Sequence, residues 1–147
     1  MIEERLGQTV PEIFRQEGEG YFREQERLLL DELGTTSPDS LVLATGGGIA
    51  VAEGNFERLC KIGLVICLRA GAQILASRLS QDEVARPLLK NRDNQADDSL
   101  TRRLEELLKK REEAYARPKI TIDTSGMQPS EVAAVVEKVI RESKQSQ

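Results

Sequence analysis

The sequence contains no histidine, no tryptophan and only two cysteines. The lack of histidine excludes Ser-His-Asp triads, the HExxH zinc motif and the commonest general base of enzymes. Cys60 and Cys67 do not have the CxxC spacing of metal and redox motifs. We therefore interpret them as reduced, small apolar residues and expect no metal site. Any catalysis would depend on carboxylates, on arginine or lysine, and on backbone donors.

Basic residues are also too few for a typical nucleic-acid-binding protein. Lys and Arg total 21 against 25 Asp and Glu, a net charge of −4, whereas nucleic-acid-binding domains usually show the opposite balance. No apolar run is long enough to span a bilayer, and the first residues lack the pattern of a signal peptide. We expect a cytoplasmic protein without nucleic-acid or membrane partners. Its 147 residues are enough for a single domain over 1–147.

Strand and helix patterns alternate from Leu41 onward, which predicts an α/β fold with parallel strands. Residues 1–40 predict helices only, and the first complete signal is the capping box Thr9-Val10-Pro11-Glu12. Residues 80–98 are polar and poorly periodic, which is typical of a functional lid. The pattern predicts strands at 41–45, 64–68 and 120–122, helices at 21–33, 53–62, 71–79 and 100–115 and from Pro129, and a frayed tail at 143–147.

The run LVLATGGGIAV, residues 41–51, is the most informative segment of the chain. It reads as a buried strand that ends in Gly46, Gly47 and Gly48. Successive residues without Cβ can take unusual backbone angles and offer their N–H groups to an anion or a polar ligand. One glycine would satisfy an ordinary strand-to-helix turn, so three favour a turn that faces a ligand. No Lys-Ser or Lys-Thr follows, which excludes a nucleotide P-loop here.

Arginines are the remaining candidates for binding an anion, because the planar guanidinium pairs with two oxygens at once. Arg23 and Arg111 lie in predicted helices, Arg86 lies in the predicted lid, and Arg117 ends a helix. The ordinary alternative is an ion pair on the surface of the same helix: Arg23 with Glu19 or Glu26, and Arg111 with Glu106 or Glu112.

The order of four short motifs along the chain is more specific to one protein family than any single motif is. GEGYFREQE, ATGGG after a strand, ARPLL in a long loop and KREEAY on a helix resemble the shikimate kinase family, as does the opening IEERLGQTVPEIF. The resemblance extends from Ile2 to about Ile140. It implies a P-loop kinase fold with strand order 2-3-1-4-5, a monomer, and transfer of phosphate from ATP to the 3-hydroxyl of shikimate with Mg²⁺.

The resemblance also assigns residues. Arg23 and Arg111 match the two arginines that hold the shikimate carboxylate, and they are expected to converge from different helices. Gly46, Gly47 and Gly48 match the glycines whose backbone contacts a ring hydroxyl, with Gly47 foremost. Arg86 matches the lid arginine over the ATP phosphates. The loop Ser125–Gln128 matches part of the adenine site.

The chain departs from the family pattern in one respect. It has no Walker A motif and no Asp-x-Asp strand, so the first two strands of the family sheet, the Mg²⁺ ligands and the catalytic residues have no counterpart. We expect a truncated shikimate kinase that is inactive or impaired, with the apolar edges of its strands exposed. The alternatives are a non-catalytic shikimate-binding protein, another small-molecule kinase such as a gluconate-type enzyme, and a helical interaction protein.

Overall fold

Helices dominate the chain in the computed structural model, which describes residues 1–36, 40–81 and 96–145. The contacts divide the chain into two compact units, Met1–Val65 and Ile66–Gln147, and the single domain stays a prediction. Within the described residues the elements are α1 (Ile2–Leu6), α2 (Val10–Gln16), α3 (Gly18–Thr36), α4 (Asn55–Ile62), β1 (Ile66–Arg69), α5 (Ala72–Gln81), α6 (Ala96–Lys110), α7 (Glu112–Ala116), β2 (Ile120–Asp123) and α8 (Pro129–Gln145).

The capping box at Thr9 is confirmed. The Thr9 N–H donates to Glu12 Oε2 at 2.8 Å, and the Thr9 hydroxyl donates to the same oxygen at 2.7 Å. Both bonds favour the ionised carboxylate, first the hydroxyl and then the N–H, and they lower the pKa of Glu12. Glu17 separates α2 from α3, and Gly18, the first residue of α3, has φ +83°. Gly20 does not interrupt α3, since the Glu19–Arg23 ion pair spans it and one interior glycine costs only about 1 kcal/mol.

The core of the first unit lies between α3, α4 and the turn that follows the glycine run. Leu30, Ile49 and Leu59 are buried there, and Leu30 of α3 is fully buried. Phe14 of α2 packs against Phe22 of α3 with ring centroids 5.0 Å apart. The half-buried residues packed on this core are Leu43, Ala50, Ile62 and Val65.

The strand predicted at 41–45 is wrong, because these residues have no regular secondary structure. A strand needs backbone hydrogen bonds to a neighbour, and the sheet of the described residues consists of β1 and β2 alone. Leu43 still packs on the core while Val42 is 93% exposed. Leu64 and Leu68, at 51% and 53%, are also exposed.

The second unit contains the parallel sheet, which confirms the α/β class. β1 pairs with β2 in the register Ile66↔Ile120 to Arg69↔Asp123. The single helix expected at 100–115 is wrong, because Arg111 separates α6 from α7. α8 continues to Gln145, past the start of the tail that we expected to fray, and the fraying itself stays a prediction.

Thr124 joins the carboxyl ends of the two strands. Its N–H and its hydroxyl both donate to the Arg69 carbonyl, at 2.7 and 2.9 Å. The Arg78 guanidinium donates to the Thr124 hydroxyl at 3.1 Å and to the Thr124 carbonyl at 2.6 Å. Because Thr124 is buried, loss of these bonds would leave polar groups without partners in the interior.

We therefore expect Thr124→Val to lower the free energy of unfolding by about 1–3 kcal/mol, because it removes two side-chain hydrogen bonds that contribute about 0.5–1.5 kcal/mol each. Urea unfolding measures this loss of stability, with Thr121→Val as the control. Thr121 lies in β2, three residues before Thr124, is exposed and makes no side-chain hydrogen bond among the described residues. Equal effects of the two substitutions would contradict a special contribution from Thr124.

Candidate functional site

Arg23 is held on α3 by two carboxylates of its own helix. Its Nε and NH2 donate to Glu19 Oε1 at 3.2 and 2.9 Å, and its NH1 donates to Glu26 Oε2 at 2.7 Å. The ion pairs considered as the ordinary alternative are therefore present. They are not both surface pairs, however, since the Glu26 side chain is only 7% exposed. A buried carboxylate in this position fixes the guanidinium more firmly than a solvated one.

Arg23 keeps its positive charge. Partial burial pulls its pKa down, but the hydrogen bonds to Glu26 and then to Glu19 outweigh the burial, and the net shift of the pKa is upward. The guanidinium therefore stays a cation at every pH at which the protein is folded. Its Cζ also lies 5.7 Å from the centroid of the Phe22 ring, within the range of a cation–π contact.

Gly48 lies directly in front of the Arg23 guanidinium. A Cβ built on Gly48 would stand 2.9 Å from NH1 and 3.0 Å from NH2, closer than to Cζ at 3.3 Å. It would therefore occupy the space before the terminal fork, the pair of nitrogens with which an arginine binds a carboxylate. A Cβ on Gly46, in contrast, would meet nothing within 4 Å. Glycine at position 48 lets the backbone lie against the guanidinium without a clash.

At Gly48 the glycine run matters because it has no side chain, and not because its backbone angles are unusual. The glycines with left-handed φ among the described residues lie elsewhere in the chain, and Gly48 itself has φ −88° and ψ −22°. The turn continues into a short 3₁₀ helix, Ile49–Val51, in which Val51 N–H donates to the Gly48 carbonyl at 3.2 Å. The left-handed backbone angles that glycine permits are therefore absent from this run, and the Arg23 guanidinium lies close to the bare backbone of Gly48; the ligand contact of the run stays a prediction.

Arg111 occupies the break between α6 and α7. Its φ of −106° and ψ of 4° leave the helical region, and its N–H is shared between the carbonyls of Leu107 and Leu108, at 3.2 and 3.1 Å. Its guanidinium NH1 donates to the phenol oxygen of Tyr115 at 3.2 Å. Among the described residues it makes no ion pair with a carboxylate, so the pairing with Glu106 or Glu112 that we weighed is absent.

The loop after β2 is ordered by its own side chains. Asp123 Oδ1 accepts the Ser125 N–H at 2.8 Å, and Gly126 has φ +75°. The hydrogen bonds from Ser125 lower the pKa of Asp123. Nothing in this geometry tests the adenine contact expected for Ser125–Gln128, which stays a prediction. Arg86 and most of the predicted lid lie outside the described residues.

The structure thus brings Arg23 and Gly48 together within the first unit. Arg111 belongs to the second unit, and its convergence with Arg23 stays a prediction. The sequence analysis did not predict that Glu26 is buried. Its i,i+3 spacing from Arg23 indicates pairing but carries no information on burial. The pairing of Tyr115 with Arg111 was also missed, although their i,i+4 spacing was a usable signal.

Neither a metal-ligand cluster nor a membrane-spanning helix occurs in residues 1–36, 40–81 and 96–145. No group of three or more His, Cys, Asp or Glu side chains in these ranges is placed to ligate a metal ion. None of the helices in the same ranges has the length and apolar character needed to cross a membrane.

Comparison with known proteins gives consistent matches over nearly the whole chain. The family model described as shikimate kinase matches residues 1–142. A shikimate kinase from Thermodesulfovibrio yellowstonii is 37% identical over 142 residues, which cover 97% of this chain and 75% of the relative. One from Geobacter sulfurreducens is 38% identical, with coverage of 97% and 74%.

Solved structures agree with the sequence relatives. Shikimate kinase from Acinetobacter baumannii in complex with shikimate aligns with a TM-score of 0.78 at 33% identity, over 97% of this chain and 75% of that one. The enzyme from Bacteroides thetaiotaomicron aligns with a TM-score of 0.81 at 28% identity. The fold and the matches define a kinase with a parallel α/β architecture. The family within that class is shikimate kinase, and the chain belongs to it.

Proposed function

We propose that this chain is a shikimate kinase-type phosphotransferase, which converts ATP and shikimate to ADP and shikimate 3-phosphate. The observation that carries the proposal is the Arg23 fork in front of Gly48. The Arg23 guanidinium is fixed by Glu19 and Glu26 beside the bare backbone of Gly48, and a guanidinium held in one orientation suits a small carboxylate. Arg111 is the second cation, and the backbone of Gly46, Gly47 and Gly48 is the donor and acceptor surface for ring hydroxyls.

The nucleotide side of the reaction has less support from the residues present. No glycine in the sequence is followed by lysine, so the lysine that reaches the β- and γ-phosphates of a P-loop kinase has no counterpart. The described residues offer no carboxylate cluster for Mg²⁺. Arg86 in the lid and the loop Ser125–Gln128 are the proposed ATP contacts.

The Arg23 site, taken together with the missing phosphate cradle, favours a second candidate function. A chain that keeps the carboxylate site but offers no phosphate cradle would bind shikimate without phosphorylating it. We therefore propose weak or absent catalysis by this chain alone, and the alternative is a non-catalytic shikimate-binding or regulatory protein that has lost ATP binding.

Calorimetric titration with shikimate, and separately with its uncharged carboxamide, tests the proposal. Binding of the acid and much weaker binding of the amide are expected, since one charge-assisted contact contributes about 1.5–3 kcal/mol. Equal affinity for the two compounds, or no binding of either, would overturn the carboxylate site. Addition of ATP and Mg²⁺ with detection of shikimate 3-phosphate then separates the phosphotransferase from the binding protein.

A further inference from the structure

Arg111 and Tyr115 form a pair whose chemistry differs from that of the other candidate arginine. Arg23 is held by two carboxylates, whereas Arg111 is held by a neutral phenol oxygen at 3.2 Å. Both partners of the second pair are half-buried. A neutral acceptor orients a guanidinium without compensating its charge.

The local backbone explains why the pair forms. The break at Arg111 ends α6, and the Tyr115 N–H donates to the Arg111 carbonyl at 3.0 Å in the first turn of α7. The two side chains therefore lie one helical turn apart, on the same face of the chain. Because arginine has many rotamers in solution, a contact that selects one of them makes the cation ready to bind.

We propose that Tyr115 is a positioning residue: its phenol oxygen fixes the Arg111 guanidinium, and the charge of Arg111 stays available to the carboxylate of the ligand. This inference rests on the proposed function, because the ligand is the shikimate carboxylate. It adds a residue that does not touch the ligand itself and acts through Arg111.

Tyr115→Phe removes the hydroxyl and keeps the ring. We expect it to weaken shikimate binding about twofold to tenfold, in the range of the net contribution of one ordinary hydrogen bond. Binding of the uncharged carboxamide should not change. In an Arg111→Ala background the same substitution should have no further effect, because its target is already absent.

Tyr21→Phe is the matched control. Tyr21 is the other tyrosine of the chain, it is exposed, and it makes no side-chain hydrogen bond among the described residues. The Tyr21→Phe variant should bind shikimate and its carboxamide as the wild type does. Additive effects of Tyr115→Phe and Arg111→Ala, equal weakening of acid and amide, or unchanged shikimate affinity would each overturn the positioning function.

A second measurement does not depend on shikimate. NMR of the labelled guanidinium gives the rate of rotation about the Nε–Cζ bond of Arg111, which should rise about fivefold in Tyr115→Phe. An unchanged rate would overturn the inference even if shikimate binds. If shikimate fails to bind the wild type but the rate rises, the proposed function fails while the fixing of Arg111 by Tyr115 stands.

Discussion

Gly48→Ala is expected to weaken shikimate binding at least about tenfold while it changes the free energy of unfolding little, and Gly48→Val is expected to abolish binding. The new Cβ would lie 2.9 and 3.0 Å from the terminal nitrogens of Arg23. These atoms are the far end of a flexible side chain, so the guanidinium can shift away from Gly48 while it keeps its pairing with Glu26, at small cost to folding. Once moved, it no longer presents its fork to a carboxylate.

Calorimetry with shikimate and urea unfolding of the same samples separate the two effects of Gly48→Ala. Gly20→Ala is the control, because a Cβ at Gly20 meets nothing within 4 Å. That variant should bind as the wild type does and gain about 0.5–1 kcal/mol of stability from the better helix former. Full affinity in Gly48→Ala would show that the space before the fork is not the carboxylate site.

The sequence predicts the Arg23–Gly48 contact only in outline. The motif order indicates that an FR helix and a glycine run belong to one site, but periodicity carries no information on side-chain direction across 25 residues of chain. The glycine run was interpreted through backbone freedom, and the structure shows that space is the reason at Gly48. The capping box at Thr9, in contrast, was predictable in full because every partner lies within one turn.

The second large effect is expected for Arg23→Ala, which should cost both binding and stability. Shikimate affinity should fall about tenfold or more with the loss of one charge-assisted contact. The free energy of unfolding should fall by about 1–3 kcal/mol, because Glu26 would be left buried without its cation.

The double variant Arg23→Ala/Glu26→Gln separates these two losses. A neutral amide in place of Glu26 relieves the unpaired buried charge, so stability should recover in part while binding does not. Arg27→Ala is the control, since Arg27 lies one turn along α3 and pairs with Glu24 and Asp31 at the surface. Its expected change in stability is below about 1 kcal/mol, with unchanged binding. Loss of binding in Arg27→Ala to the same extent would contradict the assignment to Arg23.

The differences between expectation and structure have local physical causes. The segment 41–45 has the composition of a strand, yet composition supplies no partner for its backbone, and no described segment pairs with it. The helix at 100–115 has a continuous apolar stripe, and the break at Arg111 leaves no mark in that pattern. β1 and β2 pair in parallel as expected. Parallel neighbours need a long crossover connection, which is usually helical, and the sequence predicts helices between these two apolar runs.

The exposure of Val42, Leu64 and Leu68 has a practical consequence for handling the protein. Salts that are excluded from protein surfaces, such as ammonium sulfate, strengthen the association of apolar side chains. Concentrated solutions of this chain would therefore precipitate early on a sulfate gradient. Crystallisation from polyethylene glycol at low ionic strength suits such a surface better.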